Sequence, residues 1–496
     1  MSETKPKNSA VSPPVVNPPA NGPAGETVYV PKGTRLAQWW ADLKLAAHGS
    51  RHDYTQGPVG RAIFLLAVPM VLEMVMESIF AVVDMFWVAK LGASAVATVG
   101  ITESMMAIVY TLAFGLAIGA TATVARRIGE KNPDAAAHSA VQAIFLGIIV
   151  STTLGILGAV FAPDLLRVMG ASDDVLANGT TFARVMLGGS ASVFMLFVIN
   201  ACFRGAGDAA VAMRVLWFAN AINLVLGPLL IFGIGPFPKL GVAGAAVATT
   251  FGRSMGVIFA ATRLLKGAGH IAVKREHLRV DFPAMWRLVK MCAVGTFQIT
   301  VGTTVWIGLI RILAGFGSVA VAGYTIAIRI VIFALMPAFG LSNAAATMVG
   351  QSLGAKNPAR AEQSVWTAAR YNLVFLGTLG VIFVVGAPWI IRIFTSDAEV
   401  AYVAVLGLRI IGLGFPIYAF GMVLTQSFNG AGDTWTPTWI NVFVFWCFEI
   451  PLAWYLAYHT ALEYRVTFVA VTVGYSVLAT VSALIFRKGK WKLKHV

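Results

Sequence analysis

Residues 203–208 read FRGAGD, and residues 428–433 read FNGAGD. The same offset, +225 in the numbering, relates GEKNP (129–133) to GAKNP (354–358) and APDLLRV (162–168) to APWIIRI (387–393). It also relates Arg184 to Arg409. One recurring hexapeptide carries little weight. Four motifs at one fixed spacing mark an internal duplication, a common plan among membrane carriers.

The repeated unit is apolar. Of 496 residues, 58% are hydrophobic and 12% charged, with mean hydropathy +0.77. A soluble domain carries about 25% charged residues. A membrane-spanning helix needs about 20 apolar residues. Twelve such segments are expected, at 61–89, 95–125, 136–162, 175–202, 211–234 and 241–265, then 286–314, 319–349, 362–388, 400–427, 436–458 and 466–487. Six spans per copy is an even number, so both copies enter the membrane from the same side. The expected fold is an all-α membrane protein: twelve transmembrane helices in two parallel six-helix bundles related by a pseudo-two-fold axis along the membrane normal.

Charge sets the orientation. Lys and Arg total 37 against 22 Asp and Glu. One set of connections holds Arg126, Arg127, Lys131, Arg204, Arg214, the 263–290 segment, Lys356, Arg360 and the basic C-terminus. The other set holds little beyond Lys90, Arg167, Lys239, Arg392 and Arg465. This bias explains the net +15 without nucleic acid and places both termini in the cytoplasm. The implied divisions are a cytoplasmic tail (1–57), a first lobe (58–265), a linker (266–285), a second lobe (286–487) and a basic tail (488–496). The N-terminal stretch 1–30 is Pro/Ser/Asn-rich and reads as disordered. Leu36, Trp39, Trp40, Leu43 and Ala47 share a face that suits an interfacial helix.

The small motifs read as scaffold. Glycines supply helix C-caps and prolines begin the following helices. Asp208 and Asp433 suit N-caps. Gly252 and Gly256 suit close helix packing. Cys202, Cys292 and Cys447 have no CxxC spacing, so no disulfide or zinc site is expected.

The chemistry concentrates in VLEMVMESIFAVVDMFW (71–87). At 100° per residue, Glu73, Glu77, Asp84 and Pro69 fall on one helical face. An intramembrane charge is expensive and marks function by default. In the second copy their places fall to Gln298, Gly302 and Leu309, so the scaffold does not require these acids. Glu73, Glu77 and Asp84 are therefore the expected cation-coupling residues along a water-accessible wall, with Pro69 a hinge. Glu449, Asn200, Asn220, Asn223, Gln298 and Tyr418 are further coupling or cavity candidates. Glu103 reads as interfacial, and Arg329 as an ion-pair partner or a snorkelling cation.

The Pro69-to-Asp84 spacing, VDMFWVAKLGASAVA (83–97), PAFGLSNAAATMVGQSLGAKNPARAE (337–362) and FNGAGD resemble the multidrug and toxic compound extrusion (MATE) family, bacterial type. The resemblance covers about residues 60–485. It implies a twelve-helix antiporter that exports amphipathic, often cationic drugs against H⁺ or Na⁺. Asp84 matches the family's helix-1 aspartate. The sodium-coupled branch's helix-7 and helix-10 acids fall near Gly302 and at Tyr418, neither an acid. The archaeal-type helix-5 aspartate is missing, although Asn220 and Asn223 are polar.

The expected function is secondary antiport by alternating access, with H⁺ preferred over Na⁺. Desolvation disfavours a carboxyl's charged form, so one acid can exchange a proton for a cation. If sodium were coupled, Asp84 would be the candidate ligand. No cofactor is expected. Partners are a small amphipathic substrate and the bilayer, with the monomer functional and the location the bacterial inner membrane. The alternative is a flippase for lipid-linked oligosaccharides, disfavoured because the spans show acids rather than the Lys or Arg a lipid phosphate needs. No nucleophile or metal motif supports an enzyme.

Overall fold

The computed structural model describes residues 35–49, 52–267, 269–460 and 463–494. The disorder expected over 1–30 lies outside them. Helix α1 (Arg35–His48) precedes the bundle. The first half follows as α2 (Val59–Ala89), α3 (Ala93–Gly129), α4 (Pro133–Val168), α5 (Asp173–Gly188), α6 (Ser190–Ala206), α7 (Ala209–Phe232) and α8 (Val242–Leu265). The second comprises α9 (Phe282–Leu313), α10 (Ser318–Gly354), α11 (Pro358–Arg392), α12 (Ala398–Gly430), α13 (Trp435–Asn441), α14 (Ile450–His459) and α15 (Arg465–Arg487). A π-helix, Val442–Glu449, joins α13 to α14. Helices α5 and α6 share one span, and α13, the π-helix and α14 share another, so the described residues hold twelve candidate spans. Each coincides with an expected one.

The repeated motifs build matching corners. Asn132 and Asn357 cap α4 and α11 by accepting from Ala135 N and Arg360 N, each at 3.0 Å, with Pro133 and Pro358 in the first turn. Two expected roles are corrected. In the GEKNP and GAKNP turns the left-handed residues are Lys131 and Lys356 (φ 59° and 56°), not Gly129 and Gly354, whereas Gly207 of FRGAGD does end α6 in the left-handed conformation (φ 91°), and Gly432 of FNGAGD shares it (φ 83°). Gly129 and Gly354 instead let the halves touch. A Cβ on Gly129 would collide with the Gln351 carbonyl oxygen, and one on Gly354 with the Arg126 carbonyl oxygen. These contacts exchange under the repeat offset. Asp208 does not cap α7 through its side chain. It accepts from the His270 backbone N–H at 2.6 Å, and its Oδ1 lies 2.7 Å from His270 Nδ1. Asp433 does bond the next helix, accepting from Thr436 Oγ1 at 2.7 Å.

The linker is anchored. Asp281 caps α9 by accepting from Ala284 N at 3.0 Å, so this helix starts at Phe282, ahead of the expected 286. Buried Gln142 donates to Arg279 O at 2.7 Å and accepts from Asp281 N at 3.0 Å. Helix α1 packs on α2 and α7, with Ala46 buried and Asp42 accepting from Arg61 at 2.8 Å. The side chains of Leu36 and Trp39 lie outside the described residues.

The cores interlock. Leu65, Leu66 and Met70 of α2 pack into the apolar core of the second half. Met285 and Leu288 of α9 pack into that of the first. Each half's leading helix thus starts in the opposite half. Pro69 sits where α2 changes sides, just before Glu73, and α2 stays one helix through it. Hydrogen bonds between the halves, Thr347 Oγ1 to Arg204 O (3.1 Å) and Gln351 Nε2 to Gly205 O (3.0 Å), close the end bearing the basic connections.

Candidate transport site

Past Pro69, the acids of α2 turn into the first half. Glu73 is 2% exposed. Its Oε1 accepts from Arg204 Nη1 at 2.7 Å and Asn200 Nδ2 at 3.4 Å. One helical turn on, Glu77 accepts from Arg253 Nη2 at 3.0 Å and Asn220 Nδ2 at 3.3 Å. Asn223 bonds Thr249 at 2.7 Å instead. Burial of such pairs is tolerated because each charge has a partner and further hydrogen bonds.

Asp84 lies apart from these pairs. It lines a cavity with Phe80, Glu103, Met106, Tyr110, Thr249 and Arg253. Arg253 bridges the two environments. It bonds Glu77 and acts electrostatically on Asp84 and Tyr110, while its buried Nε and Nη1 have no hydrogen-bond partner.

The expectation of three acids along one open wall is therefore revised. Glu73 and Glu77 sit in closed ion pairs, and Asp84 is the acid of α2 at the cavity. Glu103, expected at the interface, shares that cavity and interacts with exposed Arg329 of α10. Arg204, expected in a connection, is a buried partner of Glu73. The premise that the spans hold acids rather than arginines fails at Arg204 and Arg253. An arginine inside the apolar run GVAGAAVATTFGRSMG (241–256) was itself a signal, since a membrane interior admits one only with a partner or a role. The Gly252 and Gly256 packing expectation holds: a Cβ on either would press against Ala219 of α7.

The remaining candidates lie in the second half. Gln298 on α9 is buried, its Oε1 without a partner. Tyr418 on α12 stacks on Tyr475 of α15, centroids 4.1 Å apart. Glu449 is 1% exposed at the end of the π-helix. None of these joins the Asp84 cavity.

The MatE family model matches this chain twice, over residues 69–229 and 298–455. The chain belongs to the MatE family. It is 28% identical to the probable multidrug resistance protein NorM of Thermotoga maritima over 448 residues, covering 88% of this chain and 94% of that one. It is also 28% identical to an FAD transporter of Shewanella oneidensis over 352 residues, 71% of this chain and 77% of that one. A solved structure of a multidrug resistance MATE family transporter of the MOP superfamily, in an outward-facing conformation, superposes with TM-score 0.83 at 24% identity. That likeness covers 89% of this chain and 98% of the other, and speaks to the fold alone. This MatE protein is a multi-pass membrane transporter of a multidrug efflux family, not an enzyme.

Proposed function

We propose that this MatE protein exports amphipathic, cationic compounds in exchange for protons by alternating access. The observation that carries the reading is Asp84 at a cavity shared with Arg253 and Glu103, with Leu309 and Leu478 standing at the matching places of Asp84 and Arg253 in the other half. The scaffold folds without these charges, so they serve something other than the fold.

The geometry suggests a cycle. Deprotonated Asp84 attracts a cationic substrate and is held near Arg253. A proton arriving from the far side neutralises Asp84 and releases the cation. Arg253 stays neutralised by Glu77 throughout, so one charge changes rather than several. The apolar lining of Phe80 and Met106 suits varied ligand shapes. Movement of the halves about the seam at Gly129 and Gly354 would open the basic end, which we assign to the cytoplasm of a bacterial inner membrane. The unit of transport is the monomer.

The test is drug export by proteoliposomes under an imposed pH gradient in sodium-free buffer. Wild type should export, and Asp84→Asn should not. Export by wild type only with sodium present would overturn proton coupling.

A second reading rests on the unpartnered Nε and Nη1 of Arg253. Those donors suit an anionic group, and the similarity to an FAD transporter points the same way. Uptake of labelled FAD into inverted vesicles, lost on Arg253→Gln while cationic drugs stay untransported, would favour it. A flippase would instead move a lipid phosphate and ignore both probes.

A further inference from the structure

The second half holds a buried acid that the Asp84 cycle does not use. Glu449 lies mid-span, 1% exposed, and its Oε2 has no hydrogen-bond partner. That oxygen rests against Gly474 of α15, where a Cβ would collide with it. Around it stand three tyrosines. Tyr324 of α10 is 1% exposed with its hydroxyl unpartnered. Tyr418 of α12 and Tyr475 of α15 stack on each other, ring centroids 4.1 Å apart. All three interact electrostatically with Glu449. Among the described residues no Lys, Arg, His or other acid acts on it.

This cluster has no twin. Under the repeat offset, Leu224 stands for Glu449, Val99 for Tyr324, Val193 for Tyr418, Thr250 for Tyr475 and Thr249 for Gly474. Glycine in place of that threonine makes the room the carboxyl fills. The backbone is also unusual here. The acid closes an eight-residue π-helix and is followed directly by Ile450 and Pro451. Proline cannot donate to the turn before it, and π-helical turns recur at functional sites. An unpaired carboxylate in such a place is costly, with no cation to offset it.

We propose that Glu449, with Tyr324, Tyr418 and Tyr475, is a second proton-binding site, loaded and unloaded during transport in the half opposite Asp84. Protonation discharges the buried carboxylate, and the Tyr324 hydroxyl, which bonds nothing in this structure, can turn to donate to the carboxylate or accept from its protonated form. Loss of the proton leaves a bare charge, which the helix can relieve only by letting water or a neighbour approach. The rim of the π-helix is the element free to adjust.

The experiment is an infrared pH titration of the full-length protein in proteoliposomes, following the carbonyl band of protonated carboxylic acids, alongside pH-driven drug export. Glu449→Gln should remove one titrating band that Asp84→Asn leaves in place. It should also slow export about tenfold or more, within the usual range of site coupling, with drug binding and melting temperature preserved. Tyr324→Phe, which keeps the ring, should shift the pH at which that band titrates. Wild-type export and an unchanged set of bands in Glu449→Gln would overturn the proposal. Because the band is read without transport, failure of the Asp84 reading leaves this outcome distinguishable.

Discussion

Arg204 Nη1 lies 2.7 Å from Glu73 Oε1, with side chains 9% and 2% exposed. The pair joins α2 to α6 just past the point where α2 leaves the second half's core. Removing one partner strands the other charge, at a cost of about 3–5 kcal/mol. Glu73→Gln or Arg204→Met alone should therefore lower the melting temperature sharply in detergent. The double variant should recover most of the loss. A double variant as unstable as the singles would show that the pair is not the source.

The seam makes a second prediction. Gly129→Ala places a methyl against the Gln351 carbonyl, and overpacking of this kind costs about 1–3 kcal/mol. The two halves should separate more readily at the basic end. Faster hydrogen exchange in 121–131 and 346–356 would report it. The symmetric change Gly354→Ala should produce the same pattern. Protection equal to wild type in both variants would refute the seam as a closure point.

A third prediction concerns pH. Asp53 is partly desolvated, which pulls its pKa up, yet hydrogen bonds from Lys131 and Thr55 prevail and hold it below the usual 3.8. A lowered value stabilises above the unfolded value and is lost as pH falls through the folded one. The Asp53–Lys131 contact, 2.5 Å long, should thus persist through neutral and mildly acid pH and fail only below about pH 4. Exchange protection of 52–57 should follow that course, and Asp53→Asn should lack protection at every pH.

The linker offers a fourth. Gln142, fully buried, satisfies both Arg279 O and Asp281 N. Gln142→Ala leaves two backbone groups unmatched, each worth about 1–3 kcal/mol when buried. Protease cleavage within 266–281 should accelerate while the membrane-embedded helices stay intact. Wild-type cleavage rates would show that the linker is held by other contacts.

The spans were legible because an apolar run of membrane length has few alternatives. The duplication was legible because both copies kept their corner motifs. The missing twin marked Glu73, Glu77 and Asp84 alike, and only the structure separates the acid at the cavity from the two in ion pairs. Arg204 was misplaced because it is the second residue of the corner motif FRGAGD, where a cation reads as a connection residue. Arg253 was passed over because its glycine neighbours already explained the segment by packing. The crossing of α2 and α9 between cores was not legible at all: Leu65, Leu66 and Met70 suit any apolar neighbour, and only tertiary arrangement selects one. Gly129 and Gly354 misled for a related reason, since a helix end and a backbone crossing both select glycine, while Gly207 is the helix end expected of it.

The contacts of Gly129 with Gln351 and of Gly354 with Arg126 have the form of an isologous dimer interface, in which residue i meets j and their mates meet in return. Two identical six-helix subunits could assemble through that interface. Such a homodimer would carry every charge twice: two Asp84 cavities, two Glu449 clusters, or neither. Joining the subunits through residues 266–281 lifts that obligation. Each half can then drift alone, one toward buried ion pairs and the other toward a ring of tyrosines, while the shared interface stays symmetric.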